Sequence, residues 1–314
     1  MELAEGFAFT PLFNRITPAE PRRQEGESAL GPLAGLAGHW RGTGFNVIWR
    51  PDHVPGNPGQ DRFLELNLTS EQLTFDPIPG AIPNRGLLQD DINMFGLTYL
   101  QQISDSNLDA GLHIEPGIWA RVPETEDPAE PETVVRMASI PHGTTIVAQG
   151  LSRTVNGGPL IQDVSIKPFP IGAPGNPITF PEQDLGTATQ FRTPANGLVN
   201  ITKTMVDNPN SVLQAAIVGQ NITSTIVLNV STSSAPVLGG GTANTAFLQG
   251  GPDGPNAVAA QVSSIFWLET VQGENENVQQ LQYTQTVLLN FNGLSWPHIT
   301  VATLRKHDYD HSDH

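Results

Sequence analysis

Glycine and proline punctuate this chain too closely for a helical architecture. The 31 glycines and 27 prolines make up 58 of its 314 residues, nearly a fifth. Glycine costs a helix backbone entropy and proline removes one of its hydrogen bonds, so such a composition favours short strands joined by turns. Only Ile92–Phe95 and Asn256–Val262 offer even a short helical pattern. At 33.7 kDa the chain allows one large domain or two ordinary ones, and a hydrophobic fraction of 38% is lean but sufficient for a core. The expectation is an all-β protein.

Charge and cysteine content narrow the function. Fifteen Lys and Arg against 31 Asp and Glu leave a net charge of −16, which repels a nucleic-acid backbone or an anionic membrane. With no cysteine, disulfide frameworks, thiolate zinc sites, iron–sulfur clusters and cysteine nucleophiles are excluded. Glu2 and Glu5 stand where a secretory leader would be basic. No stretch approaches the roughly 20 apolar residues of a transmembrane helix. The reading is a soluble, cytoplasmic protein with a small-molecule ligand, no nucleic-acid partner and no membrane association.

Strand signals begin near Trp40. Leu64, Leu66 and Leu68 alternate with Glu65 and Asn67, and Phe95–Ile103 repeats the pattern. Gly111–Val122, Thr133–Ile140, Thr144–Gln149, Gln279–Leu289 and His298–Lys306 follow, separated by turns such as Pro141-His142-Gly143. Residues 1–30 read as an N-terminal arm, 31–306 as a single β-barrel domain and 307–314 as a disordered polar tail. The segment at about 156–260 reads as a Gly/Pro-rich insertion, with strand candidates at Leu198–Val206, Val212–Val218 and Thr223–Val230. Such an insertion caps the barrel, buries a ligand deeper, or forms a contact between copies in a homodimer.

Three clusters carry chemical information. Gly38-His39-Trp40-Arg41-Gly42-Thr43-Gly44 suits a tryptophan plugging the closed end of a barrel, with Arg305 or Lys306 over its ring. In Leu112–Arg121, strand alternation sends His113 and Glu115 to one face, where each orients the other. In Trp296-Pro297-His298, His298 is the first full residue of the last strand. The plain alternative for any one histidine is a hydrogen-bonded structural or surface residue, and His39 and His53 take that reading. The turn residue His142 reaches a pocket rim or is simply solvated. The tail histidines 307, 311 and 314 read as polar terminus rather than metal site, and Asp90-Asp91 as a turn or helix start. No Gly-x-Ser-x-Gly elbow or phosphate loop is present.

The ordered blocks Gly38–Gly44, His113–Arg121, Ser139–Gly150 and Pro297–Lys306 resemble the nitrobindin family, small haem-binding barrels with the calycin shape of lipocalins and fatty-acid-binding proteins. The resemblance covers Leu33–Gly150 and Ser264–Lys306, about half the chain. It implies an antiparallel up-and-down barrel of about ten strands holding haem b. His298 would then be the axial iron ligand, and His113 would line the haem site, both serving the chemistry. Trp40 and Thr43 are carried over as further cofactor-binding residues. The implied activity is a reaction of ferric haem with NO, peroxynitrite or peroxide species, including isomerisation of peroxynitrite to nitrate.

The chain is about twice the family's length, and the stretch at 156–260 has no counterpart there. The rival reading is a haem-free, lipocalin-like binder or carrier of an apolar small molecule, with the same histidines making hydrogen bonds. If His298 faces inward, Thr300, Ala302 and Leu304 do too, while Ile299, Val301 and Thr303 face out. Both sets are mostly apolar, so the pattern does not choose. Arg41, Arg85, Arg121 and Arg136 are the basic residues available to haem propionates.

Overall fold

The computed structural model describes residues 29–53, 62–189, 200–233, 239–245, 247 and 257–307. In chain order the strands are β1 (Gly38–Pro51), β2 (Arg62–Pro77), β3 (Ile82–Asn84), β4 (Ile92–Asp105) and β5 (Gly111–Val122). Then come β6 (Thr125–Glu126), β7 (Ala129–Glu130), β8 (Thr133–Ile140), β9 (Thr144–Asn156) and β10 (Phe169–Pro170). The last are β11 (Ile222–Ser231), β12 (Gly241–Asn244), β13 (Val258–Val271), β14 (Val278–Phe291) and β15 (Leu294–His307). Ten of them close a barrel in the order β1-β2-β4-β5-β8-β9-β11-β13-β14-β15, with β15 pairing antiparallel to β1 from His39↔His307 to Ile48↔His298. Closure leaves no free edge on the ten staves. The other strands are short additions: β3 on β4, β12 on β9, β10 on β15, and a small β6–β7 ribbon. Among the described residues no helix is long and apolar enough to cross a membrane.

The strands are apolar on both faces because both faces are covered. Trp40, Phe75, Leu97, Trp119, Phe266 and Leu304 belong to the cluster that fills the interior. Phe45, Val47, Trp49, Ile299 and Val301 point the other way and form a second cluster with Ile161, Ile166, Val206 and Leu213. That outer layer is supplied by the described parts of the excursion between β9 and β11, residues 157–189 and 200–221, including two short helices, Lys203–Asp207 and Asn210–Ala216. Leu64, Leu66 and Leu68 belong to the outer layer as well, so the charged face of that strand is the inward one.

A 3-10 turn, Gly31–Leu36, plugs one end with Leu33 and Leu36, both fully buried. Trp40 Nε1 donates to Leu36 O at 2.7 Å, and of the two basic candidates it is Lys306 that lies over the indole, 5.4 Å from its centroid. Gly42 is needed here because β1 and β15 approach closely: a Cβ at that position would sit 2.1 Å from the Thr303 carbonyl oxygen.

Several expectations change. The segment at 156–260 is not one insertion, because β11 inside it is a barrel stave paired with both β9 and β13. Without it β9 would present an open edge, so the additions are two excursions, 157–221 and 232–257. Val212–Val218 falls largely in the helix Asn210–Ala216, where Leu213 is buried against the outer face of the barrel. The strand candidate Leu198–Val206 gives the helix Lys203–Asp207, with 198–199 outside the described residues. The helical pattern at Ile92–Phe95 instead opens β4, and that at Asn256–Val262 gives the start of β13 from Val258, with Asn256 outside the described residues, since each strand has a waiting antiparallel partner. Of the arm at 1–30 and the tail at 307–314, residues 1–28 and 308–314 lie outside the described residues, and His307 ends β15.

Candidate functional site

At the end opposite the Trp40 plug, the interior opens into a cavity of ≈ 400 Å³. This lies within the range of about 300–1,000 Å³ typical of small-molecule sites. Its wall is largely apolar, with Ile48, Ile103, Leu112, Ile140, Val287 and Leu289, and its polar groups include Asn46, Gln101, Tyr283, Gln285 and Thr300. His298, His113 and His142 all line it. Strand alternation explains the first two, and the β8–β9 turn carries the third to the rim.

His298 is held through Nε2, 3.1 Å from Asn46 Oδ1, an oxygen that also accepts from Thr300 Oγ1 at 2.9 Å. An amide oxygen is an acceptor, so this pairing places the imidazole proton on Nε2 and the lone pair on Nδ1. Nδ1 has no hydrogen-bond partner among the described residues. Burial, with the charges of His113 and His142 adding to it, pushes the His298 imidazole down to about 3, so it is neutral at physiological pH.

His113 Nε2 lies 3.3 Å from Glu115 Oε2, and its ring is 5.7 Å from that of His142. Burial, then the charge of His113, lowers the His142 imidazole below its ordinary value. Glu115 is fully buried and ion-paired with Arg136. Burial alone would raise its carboxyl, but the Arg136 guanidinium and hydrogen bonds from His113 and Tyr99 bring it down to about 2. Arg136 also donates to Tyr99 at 2.9 Å, Ser264 at 2.8 Å and Gln285 at 2.5 Å.

The structure brings together only some of the residues singled out in sequence. His298 and His113 share the cavity; Trp40 is buried at the closed end, and Thr43 is exposed. The reason is parity: Trp40 faces inward, so Thr43, three residues on, faces out. Of the four basic candidates, Arg136 is committed to Glu115, Arg121 pairs with Glu132 near the plug, Arg85 pairs with Asp91, and exposed Arg41 stands opposite Arg305. The guanidinium that does line the cavity is Arg50, 3.1 Å from Glu65 and over the Phe63 ring. Arg50 and Asn46 were not singled out in the sequence, yet both sit at even positions of β1, in step with Trp40.

The donor set bears on what could sit here. Among the described residues no group of three or more His, Cys, Asp or Glu is arranged to hold a metal ion. The neutral His298 imidazole, with one nitrogen fixed by Asn46, is a donor that suits an iron whose other bonds come from a porphyrin. The residues present therefore fit a haem better than a bare ion.

No protein-family model matches the chain, and no curated protein does. Solved structures include the crystal structure of Rv2717c from M. tuberculosis, which is 15% identical with a TM-score of 0.41, over 90% of this chain and 98% of that one.

Proposed function

We propose that the barrel binds haem b through His298 and reacts with NO-derived oxidants or peroxides. The observation that carries this reading is His298 itself: a neutral imidazole, fixed by Asn46, lining a cavity with a mainly apolar wall. The motif order that resembles the nitrobindins supports the same reading. Ferric haem, when bound, would supply a Lewis-acidic iron for peroxynitrite isomerisation. Asn46 sets the imidazole orientation, the apolar wall excludes water, and His113 stands on the wall with its tautomer biased by Glu115. Arg50 at the mouth is the guanidinium available to a propionate.

Titration of the apoprotein with haemin, followed at the Soret band, tests this. A saturable one-to-one shift is expected, with binding at least tenfold weaker in His298→Ala. Equal binding by both proteins would refute the iron-ligand role. No saturable shift, with an apolar molecule retained in native mass spectrometry, would favour the haem-free carrier.

A further inference from the structure

Among the described residues, the barrel interior next to the cavity holds the carboxylates of Glu71 and Glu115, each at most 2% exposed, and one comparably buried guanidinium, Arg136. Glu115 has Arg136. Glu71, 2% exposed, has no ion-pair partner among the described residues. Its Oε1 accepts from Thr69 Oγ1 at 2.9 Å, and its Oε2 accepts from the Tyr283 hydroxyl at 2.5 Å and from Gln101 Nε2 at 3.4 Å. Gln101 Nε2 also donates to the Tyr283 oxygen at 2.8 Å. Three neutral donors reduce the cost of a buried negative charge without balancing it.

The titratable and charged groups near this carboxyl are few. Among the described residues they are His113 and Glu115 on β5, Tyr99 on β4, Arg136 on β8 and Tyr283 on β14, with Arg41 on β1 and His142 on the β8–β9 turn lining a pocket that Glu71 shares. Opposite Glu71 on β1 stands Gly42. One further positive charge would balance the interior: a proton on Glu71 or a cationic centre in the cavity. Tyr283 and Gln101, which hydrogen-bond Glu71, both line the cavity, so they connect the carboxyl to the cavity wall.

We propose that the cavity selects an occupant with a positively charged centre, and that its binding displaces a proton from Glu71 to solvent. The inference rests on the haem reading, in which that centre is ferric iron: three positive charges less the two of the porphyrin dianion leave one at the centre, apart from the two propionate charges, which would lie at the mouth. The step is a plain exchange, with the Glu71 carboxyl O–H bond broken, the proton released to water and the carboxylate facing the new charge. Burial raises the Glu71 carboxyl to about 7, which places the exchange near neutrality. The same charge count disfavours a fatty-acid carboxylate, which would add a third negative charge. Such a group lodged beside Glu71 would find Arg136 committed to Glu115, whereas the propionates of a haem would lie at the mouth, where Arg50 stands.

The test is proton release on mixing full-length apoprotein with haemin at pH 7 in weak buffer, read by an indicator dye, with Glu71→Gln in parallel. The wild type is expected to release up to ~0.5 proton per haemin more than the variant, since a group titrating near 7 is half protonated there. Metal-free protoporphyrin IX, which lacks the charged centre, should show no such excess. That comparison needs only the wild-type protein, so it decides the matter even if Glu71→Gln does not fold. A clear Soret shift with equal release in both proteins, or equal release with both porphyrins, overturns the inference and leaves haem binding standing. Absence of any Soret shift overturns the haem reading itself, and the inference with it.

Discussion

Replacing Arg136 by methionine tests the interior electrostatics most directly. The change removes the ion pair to Glu115 and the donations to Tyr99, Ser264 and Gln285, while keeping a chain of similar length. Glu115, 0% exposed, is left as an uncompensated buried charge. Breaking such a pair from one side costs about 3–5 kcal/mol, a large share of the roughly 5–15 kcal/mol that holds a domain folded. Removing the second partner as well takes the charge away, so Arg136→Met/Glu115→Gln should recover about 2 kcal/mol or more of that loss. The pH dependence must also change sign. In the wild type the Glu115 carboxyl is at about 2, below the unfolded value of 4.5, so its contribution is complete above 4.5 and is lost as the pH falls towards 2. In Arg136→Met the orphaned carboxyl favours its proton, and the variant should gain stability as the pH is lowered from 7 towards 4.5. Urea unfolding followed by tryptophan fluorescence and circular dichroism, at both pH values, measures all three quantities. A single-variant loss under about 1 kcal/mol, or a double variant no more stable than the single, would refute the reasoning.

Gly42→Ala should destabilise by about 1–3 kcal/mol or more, because its Cβ would meet the Thr303 carbonyl oxygen at 2.1 Å; an unchanged thermal midpoint would mean that β1 and β15 are not so close. Trp49→Ala should cost about 3–5 kcal/mol and expose 157–221 to limited proteolysis. The indole packs on Trp296 and Phe180 and donates to Ile166 O at 2.8 Å, so an excursion equally resistant in the variant would contradict the outer layer. For Glu71, the folded carboxyl at about 7 holds a proton that the unfolded one, at 4.5, has released. Its contribution is therefore present below 4.5 and lost as the pH rises through 7, with a slope of at most about 1.4 kcal/mol per pH unit, and Glu71→Gln should flatten it. His298 works in the opposite sense: with its folded value at about 3, stability falls as the pH drops below 6.5, and His298→Gln should remove that acid loss in denaturation curves.

Much of the architecture was legible residue by residue. The alternation that put His113 and Glu115 on one face is the alternation observed, since strand periodicity is local geometry. The parity of His298, Thr300, Ala302 and Leu304 likewise holds, with the first two lining the cavity and the last two in the interior cluster. Thr43 shows the opposite case: carried over with its motif, it is turned outward by the same parity. The segment Val212–Val218 reads as a strand because it is short and apolar. It becomes helical where Leu213 meets the outer barrel face and the Asn210 amide oxygen accepts from Thr284 Oγ1. Glu71 and Arg136 left a readable trace, since each is a lone charge at an inward-facing strand position. Which of them was paired could not be read from that trace.

The sequence by itself determined the all-β class, the strand spacing, the plug at Trp40 and the histidines worth following, because turns, alternation and glycine-tolerant positions are set over a few residues. Only the tertiary structure decided that β11 is a stave, that the outer apolar face is covered by 157–221, and that His298 turns to Asn46 across the β1–β15 seam. It also decided that Arg136 goes to Glu115 while Glu71 has no ion-pair partner among the described residues. Those outcomes depend on contacts between residues far apart in the chain, such as the 252 positions between Asn46 and His298, fixed by barrel closure and by which buried charges come within reach of one another.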